Sequence, residues 1–368
     1  MIRSSVKRLY FACVIFLSAL CGCQSSFGPI AIENTHPAYN QAIVTSLNQQ
    51  MLLNLVRLKY RDTPYFLDVG SVTASLELVG NLGLGAEMNL DSGTNILRPN
   101  FGIGYADRPT ISYAPLRGED FLKSVMAPIP LEAILIIIQS GWSIDRVFGL
   151  TIERINDLSN APRASGPTPE NEPRYKEFKR LLSLLRILQL DSHLEIGALR
   201  DPNSKDLVVL FKEGPQQHNI LEELRLLLNI FPDRPINKFI ITDNFLDRRD
   251  DHWAVRARSI ASVLFYLSQN IEIPNDHIVG GLVTLTKNNN GKLFNWNDTP
   301  AGNVFKVRSS HQRPDNAFIA IPYRGYWFYI QDNDLESKST FMLLQALFNL
   351  QAGQAKAIAP TLTLPVGR

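Results

Sequence analysis

The chain has 368 residues, with 37 Lys and Arg against 35 Asp and Glu, a formal charge of +2, and 45% hydrophobic residues. A near-neutral balance with no basic stripe interleaved with aromatics excludes the electrostatic footprint of a nucleic-acid-binding protein, and the apolar fraction suits a chain that buries an ordinary core. Cysteine occurs only at positions 13, 21 and 23, so no disulfide framework is available to staple the bulk of the chain.

At the start, Arg3, Lys7 and Arg8 precede an apolar run over 9–20. That run is too short to span a bilayer and has the make-up of an export signal. It ends in Leu20-Cys21-Gly22-Cys23. These four residues resemble the lipobox of bacterial lipoproteins. The resemblance implies cleavage after Gly22, acylation of Cys23 as the mature N-terminus, and loss of Cys13 and Cys21 with the leader. Cys21 is the poorer candidate because Leu20, not a small residue, precedes it. Several acyl chains anchor a protein stably where one binds only marginally. By the same resemblance, Gln24 after the lipidated residue implies the outer membrane, with the protein mainly on its periplasmic side. Without the leader, the remaining chain is within one charge of neutral.

Over 39–60, Ile43, Leu47, Met51, Leu55 and Leu58 recur at helical spacing, predicting an amphipathic helix that ends at Arg61-Asp62-Thr63-Pro64 and feeds a strand over 66–69. From Val72 to Leu90 every even position is apolar or small, including Leu76, Leu78, Leu82, Leu84 and Met88. After the turn residues 91–95, a second alternating run carries Phe101, Ile103 and Tyr105 on one face. The period of two predicts one long β-hairpin over 70–115. Ordinary strands run about five or six residues, whereas a tilted membrane-spanning strand needs about nine to eleven. The arrangement is similar to that of ring-forming export-channel lipoproteins, whose subunits contribute hairpins to a shared barrel; the similarity implies a homo-oligomer. A lone hairpin would leave its edges unpaired in hydrocarbon. The alternative is an amphipathic hairpin packed on a periplasmic core, the named positions then forming its core face.

Downstream, short helices are expected from 119, over 131–139, and from Ser143 to about Leu158. Residues 161–173 hold four prolines with Ser165 and Gly166 and read as a linker. Beyond it the pattern predicts helices over 175–190, 219–230, 253–268 and 334–350, and strands over 193–199, 207–212, 238–242, 278–285, 318–323 and 326–331. This mixed order predicts an α+β fold of helices and antiparallel strands. The expected organisation is a signal peptide (1–22), a lipidated tether (23–38), an N-terminal α+β domain (39–160), the linker (161–173), a C-terminal α+β domain (174–353) and a tail (354–368).

No zinc spacing, phosphate loop or nucleophile elbow occurs, and no metal or cofactor is expected. The aromatic stretch 321–330 offers Tyr323, Arg324, Trp327 and Tyr329 as a partner surface, unless the hairpin is interior. Counted along the chain, Tyr323, Trp327 and Tyr329 share one parity. The leading expectation is an outer-membrane-anchored lipoprotein serving as a structural or transport component of an envelope assembly, not an enzyme. Its partners are the membrane, through the lipid, and further copies or other envelope proteins; nucleic acid is not among them. A lipid-anchored periplasmic adaptor or binding module is the alternative. A periplasmic hydrolase using acids such as Asp250 or Asp332 is a further one.

Overall fold

The computed structural model describes residues 27–73, 76–88, 95–107, 110–199, 204–212, 214, 217–230, 237–246, 249, 251–352 and 362–365. The chain divides into two compact units, 1–49 and 50–368. The described part of the first is helical from Phe27, within helix α1 (Phe27–Lys59), so the segment expected as a tether is helical from that residue on. Among the described residues no helix is long and apolar enough to cross a membrane.

The second unit is α+β. After α1 come β1 (Phe66–Thr73), β2 (Leu76–Met88), β3 (Asn95–Asp107) and β4 (Thr110–Leu116), then α2 (Glu119–Met126), α3 (Leu131–Gln139) and α4 (Ile144–Thr151). Next are β5 (Ile152–Ile155), β6 (Leu158–Ser159), α5 (Lys176–Leu190), β7 (Leu194–Ala198), β8 (Leu207–Phe211), α6 (His218–Leu227), β9 (Lys238–Thr242) and β10 (His252–Ala257). The chain continues through α7 (Ile260–Ser268), α8 (Asn275–Val279), α9 (Pro300–Val304), β11 (Arg308–Ser310), β12 (Ala317–Tyr323), β13 (Tyr326–Gln331), α10 (Leu335–Ala352) and β14 (Leu362–Pro365).

The last turns of α1 bury Leu52, Leu55, Val56 and Leu58, a helical repeat facing one core. Two side-chain amides on this helix, one turn apart, act as an extra strand. Gln50 accepts from the Leu67 N–H at 2.7 Å and donates to its carbonyl at 3.1 Å. Asn54, fully buried, does the same for Tyr65 at 2.9 and 2.8 Å. Leu67 stands opposite Pro115 of β4. With Leu67's polar groups turned to the helix, proline's missing N–H costs the ladder nothing there. On the far side of β4, β14 pairs with residues 110–113, so part of the expected tail is a strand. The outer edge of β1 is therefore engaged at Leu67, and that of β4 at residues 110–113. Replacing Asn54 by Ala is expected to cost about 1–3 kcal/mol, since the Tyr65 N–H and carbonyl both lose their partner. Hydrogen exchange should speed up first at Tyr65, whereas Gln50→Ala, half-exposed, should do less.

Beyond the base, β2 and β3 form a sheet of two strands, in register from Leu76↔Asp107 to Met88↔Asn95. The register sets Leu78 opposite Tyr105, Gly80 opposite Ile103 and Leu82 opposite Phe101. Leu84 stands opposite Pro99, and Ala86 opposite Leu97. One parity of the ladder thus carries nearly all the apolar positions, with Asp107 and Asn95, at its two ends, as the polar exceptions.

The main sheet has the order β6-β5-β10-β9-β8-β7, with β9 and β10 parallel and its other pairs antiparallel. It corrects the expected division at 161–173. β5 lies before that segment and β10 after it, yet Val255 pairs with Ile155 in one ladder, and one contiguous core runs through both halves. Prolines there stabilise an irregular backbone that is packed, with Ala161, Ala164 and Thr168 buried. Buried Arg258 grips it: the guanidinium donates to the carbonyls of Asn160 and Ala161 and to the Ser165 hydroxyl, and lies 4.2 Å from the Tyr266 ring centroid.

Three expected elements differ. The helix expected over 253–268 is two elements, because Trp253, Ala254 and Val255 form a strand buried between β5 and β9; a strand covered on both faces reads as a continuous apolar run. Ser259 then caps α7, accepting from the Ser262 N–H at 3.1 Å. The expected strand at 278–285 is replaced by short helix α8 and a turn at Gly281, φ +66°. The helix expected to reach Leu158 stops at Thr151, where β5 enters the sheet between β6 and β10.

Candidate functional site

The aromatic hairpin is built around a two-residue turn, Arg324 and Gly325, with φ of +48° and +83°. Consecutive positive φ values match the twist of antiparallel strands in tight hairpins. Sheet order is β11-β13-β12. The turn sets Tyr323 opposite Tyr326 and Pro322 opposite Trp327. Directly opposed residues share a face, so Tyr323 lies with Tyr326 and buried Phe328 and Ile330 on the inner face, while Trp327 and Tyr329 lie on the outer one. This corrects the grouping of Tyr323 with Trp327 and Tyr329: residue parity reverses across a two-residue turn. On the outer face the Arg313 guanidinium sits 5.5 Å from the Trp327 ring centroid.

The inner face closes against the end of α1. Arg324 donates to Asp62 Oδ2 at 2.9 Å, and the Tyr323 hydroxyl donates to the same oxygen. These two donors, the phenol foremost, hold the Asp62 carboxyl below its ordinary pKa. Burial, then the Asp62 hydrogen bond, raises that of Tyr323. Beside them the Tyr60 hydroxyl lies 2.6 Å from His277 Nδ1, and His277 Nε2 lies 3.2 Å from the Arg324 carbonyl oxygen. A carbonyl only accepts, so the neutral imidazole with its proton on Nε2 satisfies both contacts, Tyr60 donating to Nδ1. Burial pushes the Tyr60 phenol above its ordinary value. Tyr326 donates to Asp276 at 2.6 Å. Sequence reading finds Tyr323 and Arg324 from the Arg-Gly tip but misses Tyr60, Asp62 and His277, because Tyr60 and Asp62 lie more than 200 positions from His277 and from the tip, with no period linking them. The cluster fastens the hairpin tip to the joint between α1 and β1. Each of its polar groups is engaged by another, which suits fastening and leaves no poised nucleophile or base.

Cys23 and Asp250 lie outside the described residues. Asp332 is exposed and accepts from Lys338 Nζ at 2.7 Å, so it does not converge with a second acid. Asp251 lies 2.7 Å from Nδ1 of buried His252, a contact that lowers its pKa; His252 is the first residue of β10. Among the described residues no group of His, Cys, Asp and Glu is arranged to hold a metal ion. The backbone of Leu76, Leu78, Leu82, Leu84, Met88, Phe101, Ile103 and Tyr105 lies in the two-stranded ladder. No family model, no curated protein and no solved structure matches this chain.

Proposed function

We propose that the protein is a lipid-anchored structural or transport component of an envelope assembly at the outer membrane, in which the β2–β3 ladder pairs edge to edge with the ladders of neighbouring copies. One observation carries the reading: the base of the ladder is engaged from outside, at Tyr65 and Leu67 by the amides of Asn54 and Gln50 and at residues 110–113 by β14, while the thirteen-residue strands beyond it form a sheet of two. Two strands alone are marginal in water, and open edges invite further strands. At about 3.4 Å per residue such strands reach roughly 44 Å. Tilted by about 45°, they cover roughly the 30 Å hydrocarbon core of a bilayer. Head-to-tail pairing, β2 of one copy beside β3 of the next, closes a ring when the rotation allows it. Cys23 supplies the anchor.

Two measurements test this together. Cys23→Ala is expected to lose fatty-acid labelling and pass into the soluble periplasmic fraction; equal labelling of the variant removes the anchor. The wild-type protein extracted in detergent is expected to have the mass of a multiple of the chain, with hydrophobic photolabelling at even positions from 76 to 88. A monomer unlabelled at those positions replaces the shared barrel with an adaptor module whose hairpin is an ordinary periplasmic sheet.

A further inference from the structure

A second feature, independent of the ladder, lies where the ends of several elements meet. Pro128 to Leu131 forms one wall of a cleft of about 530 Å³. That wall is fixed to the far side by the backbone, since Pro128 bridges Ser259 and the Ile129 N–H donates to the Arg258 carbonyl at 2.9 Å. The opposite wall is β10 together with Phe245, whose ring lies 5.0 Å from the Arg256 guanidinium and 4.9 Å from that of Arg154. The volume is in the range of small-ligand sites, as is the make-up: apolar walls with a few polar groups.

Those polar groups are four charges of both signs. Arg256 and Lys205 are cationic; Glu132 and Asp243 are anionic. Among the described residues Lys205, Glu132 and Asp243 form no ion pair. Arg256 reaches only Glu153, at 3.9 Å, and its side chain remains 57% exposed. Opposite charges that line one cleft without neutralising each other leave both signs available to a guest. Arg256 is held by the Phe245 face, a contact that leaves its N–H fork free to bind a carboxylate in two-pronged fashion. An isolated anion would meet two carboxylates here, and an isolated cation two basic groups; a molecule with both charges meets neither penalty.

We infer that this cleft binds a short peptide with a free ammonium and a free carboxylate. The carboxylate goes to Arg256 and Lys205, the ammonium to Glu132 and Asp243, and an apolar side chain lies against exposed Pro130. The test is a calorimetric titration of the detergent-solubilised full chain with the tripeptide Ala-Leu-Ala, its N-acetylated form and its C-terminal amide. The free tripeptide is expected to bind saturably, one per chain, and each blocked form at least about tenfold more weakly, that is about 1.4 kcal/mol. Arg256→Gln should shrink the penalty of the amide, leaving only Lys205 to read the carboxylate, and keep that of the acetyl group, and Asp243→Asn the reverse. Both variants alter exposed side chains, and an unchanged melting temperature shows that they fold. The inference is overturned by a free tripeptide that does not saturate, by equal binding of all three forms, or by penalties that the two variants leave unchanged.

Discussion

Arg258→Ala is expected to be the most destabilising single change in the second unit, costing about 3–5 kcal/mol, because it breaks a buried charged network from one side. The guanidinium is fully buried. It binds the carbonyls of Asn160 and Ala161 and the hydroxyl of Ser165, packs on Tyr266, and has Glu153 at 3.9 Å. Truncation orphans the Asn160 carbonyl, leaves a carboxylate that is only 14% exposed beside an empty space, and loosens the start of segment 161–173, although the Ala161 carbonyl keeps the Ala164 N–H at 2.9 Å. Arg258→Lys should recover little, since an ammonium on a thinner stem has no planar fork to reach three acceptors at once. Equilibrium urea unfolding is the check: the midpoint should fall while its slope stays constant. Adding Glu153→Gln to Arg258→Ala should restore part of the loss, because a largely buried carboxylate left with only the Arg256 cation, at 3.9 Å, is then gone. A midpoint shift worth less than about 1 kcal/mol would mean that the proline-rich segment is held by its own backbone and not by Arg258.

The same residue explains why the fold was only partly legible in the sequence. Elements set by local period were readable: α3 was expected at 131–139, α5 at 175–190 and β9 at 238–242, close to where they lie. Local composition also made 161–173 look like a linker, since prolines and glycine punctuate loops whether or not those loops are buried. What packs that loop is an arginine almost a hundred positions later, between a strand and a helix. The strand itself was misread, because β10 is covered on both faces and shows no alternation. For the aromatic hairpin, the tip was legible from Arg324-Gly325, but its anchor Asp62 is 262 positions away. The four charges of the cleft come from the ends of separate elements, Glu132 in α3, Lys205 before β8, Asp243 after β9 and Arg256 in β10, and no spacing rule joins them.

Lys59→Met is expected to have the opposite sign to Arg258→Ala at neutral pH, and the sign should reverse in alkali. Lys59 is buried at the end of α1, 4% exposed, with Gln269 Oε1 at 3.2 Å as its partner. Desolvation lowers its pKa from 10.5 to about 8. Below pH 8 both folded and unfolded chains carry the proton, and the folded state bears the full cost of the buried charge. Between about 8 and 10.5 the unfolded chain holds a proton that the folded chain has released, so stability rises with pH across that window by about 3 kcal/mol. Methionine removes the charge at every pH but leaves Gln269 Oε1 without its donor, a loss of about 1–3 kcal/mol; the Gln269 amide still donates to the Phe265 carbonyl at 3.0 Å. The variant should therefore be about 1–2 kcal/mol more stable than the wild type at pH 7. Above pH 10.5, where the native amine is neutral and hydrogen-bonded, it should be less stable by a similar amount. Comparing the two proteins by urea unfolding at each pH cancels the other titrating groups, and a difference that stays constant from pH 7 to pH 10.5 would mean that Lys59 reaches water in the folded state.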